Sequence, residues 1–177
     1  MKTLWLAVGL ALTTPLAHAE DMAEMISQYR REHGLSTVKT DPELTRIAER
    51  QAKAMAASGV MDHSVAGSFA SRVAGAHPRR AAENIAAGTK TWTETFRAWQ
   101  NSPGHNANLL QSQADRVGVA MARNDQTRYK TFWAMVIADK SPKKKGTFAE
   151  GNGSWGYVIS EDPISTIKNF ICNYLCL

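Results

Sequence analysis

Two histidines and a glutamate in the middle third of this chain carry the side chains that metal sites and proton-transfer sites use. His63 lies in the segment MDHS, Glu83 in AENI and His105 in SPGH. Imidazole nitrogens and carboxylate oxygens bind Zn²⁺, and the same groups act as general acids and bases. Their spacing forms no local motif, so only the tertiary fold can bring the three side chains together.

Two amphipathic helices are predicted ahead of these residues. The first covers residues 20–33 and ends at Gly34, because apolar side chains recur there at helical spacing before a glycine. The second begins with Asp41 as N-cap and Pro42 at the first helical position, and it ends near Gly59. Its predicted apolar face consists of Leu44, Ile47, Ala48, Gln51 and Met55. Both helices are expected to be scaffold.

Short regular elements alternate with irregular stretches in the rest of the chain. We predict a helical turn at 68–73, a short strand at 82–88 and helices at 91–101 and 102–110. The last of these starts with Ser102 and a proline, so His105 falls in its first turn. Residues 116–123 and 129–139 are predicted to form an antiparallel hairpin, from their alternating polarity and their β-rich composition. This order predicts an α+β fold in which helices cover an antiparallel sheet.

The amino-terminal residues have the features of a signal peptide. Lys2 precedes an apolar run over residues 4–12, and the AHA motif at 17–19 is a typical cleavage site, so residues 1–19 are predicted to be removed. The apolar run is shorter than the roughly 20 residues that span a bilayer, and no later segment reaches that length. We therefore expect an exported protein, secreted or periplasmic, with no transmembrane segment.

The composition argues against a nucleic-acid partner. Without residues 1–19 the chain keeps 20 Lys and Arg against 16 Asp and Glu, a net charge of +4, and apart from the lysine run at 143–145 the cations are interspersed with acids. A nucleic-acid surface would concentrate them. Both cysteines, Cys172 and Cys176, lie in an extension, residues 140–177, whose pattern departs from the rest. The predicted main domain, residues 20–139, therefore depends on packing rather than on disulfide bonds. The sequence leaves open the pairing of the cysteines, the structure of the extension and the oligomeric state.

Several segments of residues 21–139 resemble the bacterial branch of the CAP superfamily, which also contains cysteine-rich secretory proteins, venom antigens and plant pathogenesis-related proteins. The matching segments are YR at 29–30, HGL at 33–35, DPEL at 41–44, HS at 63–64, AENIA at 82–86, WQNSPGH at 99–105, RVGVA at 116–120 and FWA at 132–134. The resemblance implies an α-β-α sandwich, with a small antiparallel sheet flanked by helices and a broad cleft at one end.

In that superfamily the central cleft carries two histidines and two glutamates. His63, Glu83 and His105 match three of these four positions, and the fourth, a glutamate in many eukaryotic members, falls at about Ser102. The resemblance therefore implies a set of two histidines and one glutamate in this chain. The disulfide bonds of the eukaryotic members are absent as well, in line with the position of the cysteines.

Three functions are compatible with this set of residues. In the first, His63 and His105 bind Zn²⁺ weakly and exchangeably, with Glu83 as a third ligand or as a group that orients a ligand. In the second, Glu83 polarises a histidine that acts as the general base of a hydrolase. Ser64 and Ser102 are the candidate nucleophiles in that case, although neither lies in a nucleophile elbow.

In the third, the domain binds a small apolar, glycan or cell-envelope ligand. Its apolar surface would come from between the helices and from the aromatic residues of the helix at 91–101, whose spacing is also that of ordinary core residues. The sequence favours binding of a ligand or a cell-envelope component in a cleft lined by His63, Glu83 and His105, with zinc as the candidate cofactor. A protease-like or esterase-like hydrolase is the alternative, and the sequence does not decide whether the protein is an enzyme.

Overall fold

Five α-helices, a 3₁₀-helix (Ala74–Ala76) and five strands are described by the computed structural model, which covers residues 15–139 and 170–171, with side chains at 21–139. The helices are α1 (Pro15–Glu32), α2 (Pro42–Ser58), α3 (Phe69–Val73), α4 (Trp92–Asn101) and α5 (Pro103–Leu109). The strands are β1 (Lys39–Thr40), β2 (Ala81–Ala87), β3 (Arg116–Arg123), β4 (Thr131–Ala138) and β5 (Phe170–Ile171).

Helix α2 begins and ends where its capping residues predict. The side chain of Asp41 accepts hydrogen bonds from the backbone N–H groups of Glu43 and Leu44, both at 2.9 Å, and so satisfies donors that a helix start leaves free. Gly59 follows the last turn with a φ of 69°, a left-handed conformation that glycine adopts without steric cost. All five residues of the predicted apolar face are buried. Local capping interactions therefore determine where α2 begins and ends.

The sheet has the strand order β1-β3-β4-β2-β5. Strands β3, β4 and β2 pair antiparallel, and the predicted hairpin is β3 with β4. The two-residue strands β1 and β5 lie outside these three and pair parallel to β3 and β2. The predicted α+β class is therefore confirmed, with a sheet that is antiparallel at its centre and mixed at its edges.

Helices cover both faces of the sheet, and strand β4 is buried along its whole length. One face packs with α2 and α3, through a cluster that includes Leu44, Met55, Phe69, Ile85 and Phe132. The opposite face packs with α1, α4 and α5, through a cluster that includes Ile26, Phe96, Trp99, Leu109 and Met135. Burial of apolar surface on both faces holds the three layers together.

Arg30, in the last turn of α1, joins this helix to the segment that follows α5. Its guanidinium group is fully buried and donates to the backbone carbonyl oxygens of Ser36, Leu109, Gln111 and Ala114, at 2.8 to 3.0 Å. Burial lowers the pKa of Arg30, although an arginine side chain keeps its charge in proteins. The hydrogen bonds to carbonyl oxygens offset the cost of burying that charge.

The carboxyl-terminal extension is described only at β5, which lies beside Ala82 and Glu83 of β2. The remaining residues of the extension, both cysteines and residues 1–14 of the predicted signal peptide lie outside the described residues. Within the part of the chain that the structure covers, no helix combines the length and the apolar character needed to cross a membrane.

Candidate functional site

Strand β2 connects the two helical layers at the site. Consecutive residues of a strand point to opposite faces of its sheet. Ala81 and Ile85 belong to the cluster with α2 and α3, whereas Ala82 belongs to the cluster with α1, α4 and α5. Glu83 therefore faces the layer of α2 and α3, and Asn84 faces the layer of α4 and α5.

His63 and Glu83 form a hydrogen-bonded pair. His63 Nδ1 lies 2.7 Å from Glu83 Oε1, and the side chains are 14% and 0% exposed. The loop before His63 is fixed by Gln51 of α2, whose Nε2 donates to the carbonyl oxygen of Asp62 at 2.7 Å. Because an ionised carboxylate only accepts hydrogen bonds, this contact assigns the hydrogen of a neutral imidazole to Nδ1 and the lone pair to His63 Nε2.

Both carboxylate oxygens of Glu83 are engaged. Arg72 of α3 donates from Nη1 to Oε2 at 2.5 Å and from Nη2 to Oε1 at 2.8 Å, and both side chains are buried. A bidentate pair of this kind is among the strongest hydrogen-bonded contacts in proteins. Oε1 accepts two hydrogen bonds and Oε2 accepts one, and the side chain is fully buried, so the geometry favours Glu83 as a group that orients His63 rather than as a metal ligand.

Arg72 is the functional residue that sequence reasoning missed. The sequence indicates such a residue only indirectly. Glu83 stands among alanines in a strand whose composition predicts burial, and a buried carboxylate needs a cation beside it. No local spacing identifies which arginine supplies that cation.

His105 belongs to the opposite helical layer. It lies in the first turn of α5, is 4% exposed, and places Nδ1 at 2.9 Å from Ser102 Oγ. Its carbonyl oxygen accepts from Asn84 Nδ2 at 3.0 Å, and Asn108 Nδ2 donates to Asn84 Oδ1 at 2.9 Å. These contacts tie α5 to β2. Burial, followed by the charge of His63, lowers the pKa of His105, so its neutral form is favoured.

The two candidate nucleophiles occupy different environments. Ser64 Oγ donates to Asp62 Oδ1 at 2.5 Å, and the Ser64 backbone N–H donates to the same oxygen at 2.7 Å. These bonds hold the pKa of the Asp62 carboxyl below its usual value. Ser102 Oγ contacts His105 Nδ1 instead, which makes Ser102 an orienting group for this imidazole.

The Nε2 atoms of His63 and His105 share one property. Each is buried and has no hydrogen-bond partner among the described residues. In the same part of the chain, no group of three or more His, Cys, Asp or Glu side chains is placed to hold a metal ion. Each ring is anchored through its Nδ1, that of His63 by Glu83 and that of His105 by Ser102.

A separate groove lies between α1 and α4, with a volume of about 250 Å³. It is lined by Met25, Gln28, Tyr29, Glu32, Thr93, Phe96, Arg97 and Gln100. Of the helix aromatics considered for an apolar ligand, Phe96 contributes to this groove. Trp99 is fully packed in the core.

The lowered pKa of His105 predicts that the fold loses stability in acid. A histidine whose pKa is lower in the folded chain makes its full contribution to stability above the unfolded pKa of 6.5, and this stability is lost as the pH falls through the folded pKa. We expect the melting temperature to fall more steeply below pH 6.5 in the wild type than in a His105→Gln variant. Both proteins are measured with a chelator present, so that no metal ion binds the histidine. Equal slopes for the two proteins would contradict this assignment.

The chain has an α-β-α fold with a buried contact between His63 and Glu83 of β2, and comparison with known proteins identifies its class. Residues 23–137 match the model of the cysteine-rich secretory protein family, CAP. This match covers more than half of the sequence, so the chain belongs to the CAP family. The resemblance noted from the sequence is confirmed.

Individual relatives agree with this assignment. The chain is 30% identical to the uncharacterized protein YkwD of Bacillus subtilis over 108 residues, which are 58% of this chain and 42% of that protein. It thus spans less than half the length of this relative. An outer surface protein of Borrelia burgdorferi superposes with a TM-score of 0.63 at 17% identity, covering 75% of this chain and 99% of that one. An extracellular SCP-domain protein of Bacillus anthracis gives a TM-score of 0.61 at 22% identity, covering 74% and 45%. These structures share the fold.

Proposed function

We propose that this chain is an exported ligand-binding protein whose cleft holds its ligand through the Nε2 atoms of His63 and His105, and that Zn²⁺ binds there weakly and exchangeably. The observation that carries the proposal is the burial of both nitrogens without a partner among the described residues. A buried polar atom without a hydrogen bond costs about 1–3 kcal/mol. A ligand that supplies the missing partner recovers this free energy.

The donor set fits a weak zinc site. Zinc binds neutral imidazole, and metal-bound histidines usually have their second nitrogen anchored by another group, as Glu83 and Ser102 do here. Two protein ligands leave further positions of a tetrahedral ion for water or for another ligand. When bound, zinc would supply a Lewis acid that holds an oxygen or nitrogen of that ligand.

Calorimetric titration with Zn²⁺ tests the proposal. We expect measurable binding to the wild type and an affinity at least about tenfold weaker in His63→Ala and in His105→Ala, because each variant removes one of two ligands. His33→Ala is the matched control, since His33 is exposed at the end of α1 and bonds through Nδ1 to the Tyr29 carbonyl oxygen. Unchanged affinity in both site variants would refute the metal site.

A hydrolase is the second candidate, and the hydrogen bond between His63 and Glu83 is the observation that favours it. A carboxylate behind a histidine is the arrangement of a general base. Here, however, Arg72 already compensates the charge of Glu83, which reduces the support available to a protonated imidazole. Assays on peptide and ester panels, with Glu83→Gln as control, separate the two functions. Hydrolysis that survives the substitution would remove Glu83 from the mechanism.

Export and the nature of the partner belong to the same proposal. The signal-peptide features support export, and two proteins of the same fold are described as an outer surface protein and as an extracellular protein. We infer that the chain acts outside the cytoplasm, on a small apolar, glycan or cell-envelope ligand. The separate groove between α1 and α4, where Met25, Tyr29 and Phe96 lie among five polar side chains, is a second candidate surface for such a ligand.

A further inference from the structure

Arg72 contacts the loop that carries His63 as well as the side chain of Glu83. Besides its two bonds to the carboxylate, Arg72 donates from Nη2 to the carbonyl oxygen of His63 at 2.9 Å and from Nε to the carbonyl oxygen of Gly67 at 3.1 Å. The guanidinium carbon lies 5.4 Å from the centre of the Phe69 ring. One buried side chain thus holds the backbone of His63 and the acceptor that its ring contacts.

We propose that Arg72 is the positioning residue of the site and fixes the tautomer of His63. This inference rests on the proposed function, in which Nε2 is the ligand-binding atom. Arg72 donates to both oxygens of Glu83 and so orients the carboxylate as an acceptor beside His63 Nδ1. In the neutral imidazole the ring hydrogen then lies on Nδ1, and Nε2 presents the lone pair.

The shape of the arginine side chain matters as much as its charge. The planar guanidinium reaches two carboxylate oxygens and two carbonyl oxygens at once, whereas a lysine ammonium is a point charge with three donors. A lysine at position 72 would keep the charge beside Glu83 and lose some of the bonds to the loop. The two functions of Arg72 can therefore be separated by substitution.

His105 differs from His63 in this respect. Its Nδ1 contacts the hydroxyl group of Ser102, which can donate or accept, so either tautomer of His105 satisfies the contact. In the neutral rings, Nε2 of His63 then only accepts a hydrogen bond, whereas Nε2 of His105 accepts or donates according to the tautomer. This pair suits a metal cation, or a ligand that places an N–H or O–H donor on His63.

Nitrogen NMR of the histidine rings tests the proposal, with Zn²⁺ titration as a second readout. At a fixed pH at which the rings are neutral, wild-type His63 is expected to show only the Nδ1–H form. Arg72→Lys should keep this form and bind Zn²⁺ about tenfold more weakly. Arg72→Met combined with Glu83→Gln, which avoids an uncompensated buried charge, should show both tautomers of His63 and up to about 100-fold weaker binding.

Ser102→Ala is the matched control, because it should alter the tautomers of His105 and leave those of His63 unchanged. A single Nδ1–H form of His63 in the Arg72→Met/Glu83→Gln variant would overturn the proposal, as would an Nε2–H form in the wild type. The tautomer measurement needs no metal. Absence of Zn²⁺ binding to the wild type would therefore count against the proposed function without deciding the role of Arg72.

Discussion

Replacing Gly118 with alanine is expected to lower the free energy of unfolding by about 3 kcal/mol or more, the upper range for overpacked cores. A Cβ atom at this position in β3 would lie 2.6 Å from the carbonyl oxygen of Leu44, and closer still to the Leu44 carbonyl carbon and the Thr45 backbone nitrogen. All three atoms belong to the backbone of the first turn of α2, so no side-chain rotation can relieve the overlap. The helix would have to move away from the sheet.

That movement would disturb more than one contact, which is why the effect should be large. The N-cap residue of α2, Asp41, donates its backbone N–H to the carbonyl oxygen of Val117, and its carboxylate accepts from Arg116 at 3.2 Å. Both partners lie close to Gly118 in β3. Displacing α2 strains the cap and opens the core beneath it at the same time.

Urea unfolding followed by circular dichroism measures this effect. Gly75→Ala is the matched control, because its new Cβ would lie 3.5 Å from Glu43 Oε1, an ordinary contact distance. We expect the control to stay within about 0.5 kcal/mol of the wild type, as exposed substitutions usually do. A Gly118→Ala protein as stable as the control would show that α2 and the sheet adjust at little cost.

Removing the guanidinium of Arg72 alone should destabilise the fold by about 3–5 kcal/mol, the usual cost of breaking a buried ion pair from one side. In Arg72→Met the Glu83 carboxylate stays fully buried, and among the described side chains only His63 still hydrogen-bonds to it. The Arg72→Met/Glu83→Gln double variant should recover most of the loss, since replacing both members of a buried pair is often nearly neutral. The double-mutant cycle, measured by urea unfolding, gives the coupling between the two side chains.

A surface pair of the same residue types provides the comparison. Arg46 contacts Glu43 at 2.6 Å, and the Arg46 side chain is 63% exposed. Because water screens such a pair, Arg46→Met should cost no more than about 1 kcal/mol. If Arg72→Met and Arg46→Met cost the same, burial of the Arg72–Glu83 pair has no energetic consequence.

Much of the fold could be predicted from the sequence because its signals are local. Asp41 with Pro42 marks the start of α2, and Gly59 marks its end, through hydrogen bonds that span only a few residues. Strand β4 begins two residues later than predicted, at Thr131. The reason is that Lys130 adopts a φ of 65°, in the left-handed region, which ends the preceding turn. The alternation of polarity could not show this backbone conformation.

The site was only partly predictable, because its decisive contacts join distant segments. His63, Glu83 and His105 were found by their chemistry and by the resemblance to a family. Arg72 was not, since it meets Glu83 only when α3 packs against β2. Ser102, three residues before His105, was named from the sequence as a candidate nucleophile, and the structure places its hydroxyl group beside the imidazole. From its residue type alone, Glu83 is either a metal ligand or an orienting group. The guanidinium of Arg72 favours the orienting role, and no spacing rule identifies that arginine.

The buried guanidinium of Arg30 has a consequence for motion. It holds the carbonyl oxygens of Leu109, Gln111 and Ala114, at and just beyond the end of the helix that carries His105, and its neighbour Tyr29 donates from its hydroxyl to Asn106 Oδ1 at 2.9 Å. We therefore expect helix α1 and helix α5 to open as one cooperative unit, because releasing either one exposes the bonding groups of the other. Backbone amides of both helices should exchange with solvent at matched rates, and a ligand held by His105 should slow exchange in α1, a helix that has no part in the imidazole pair.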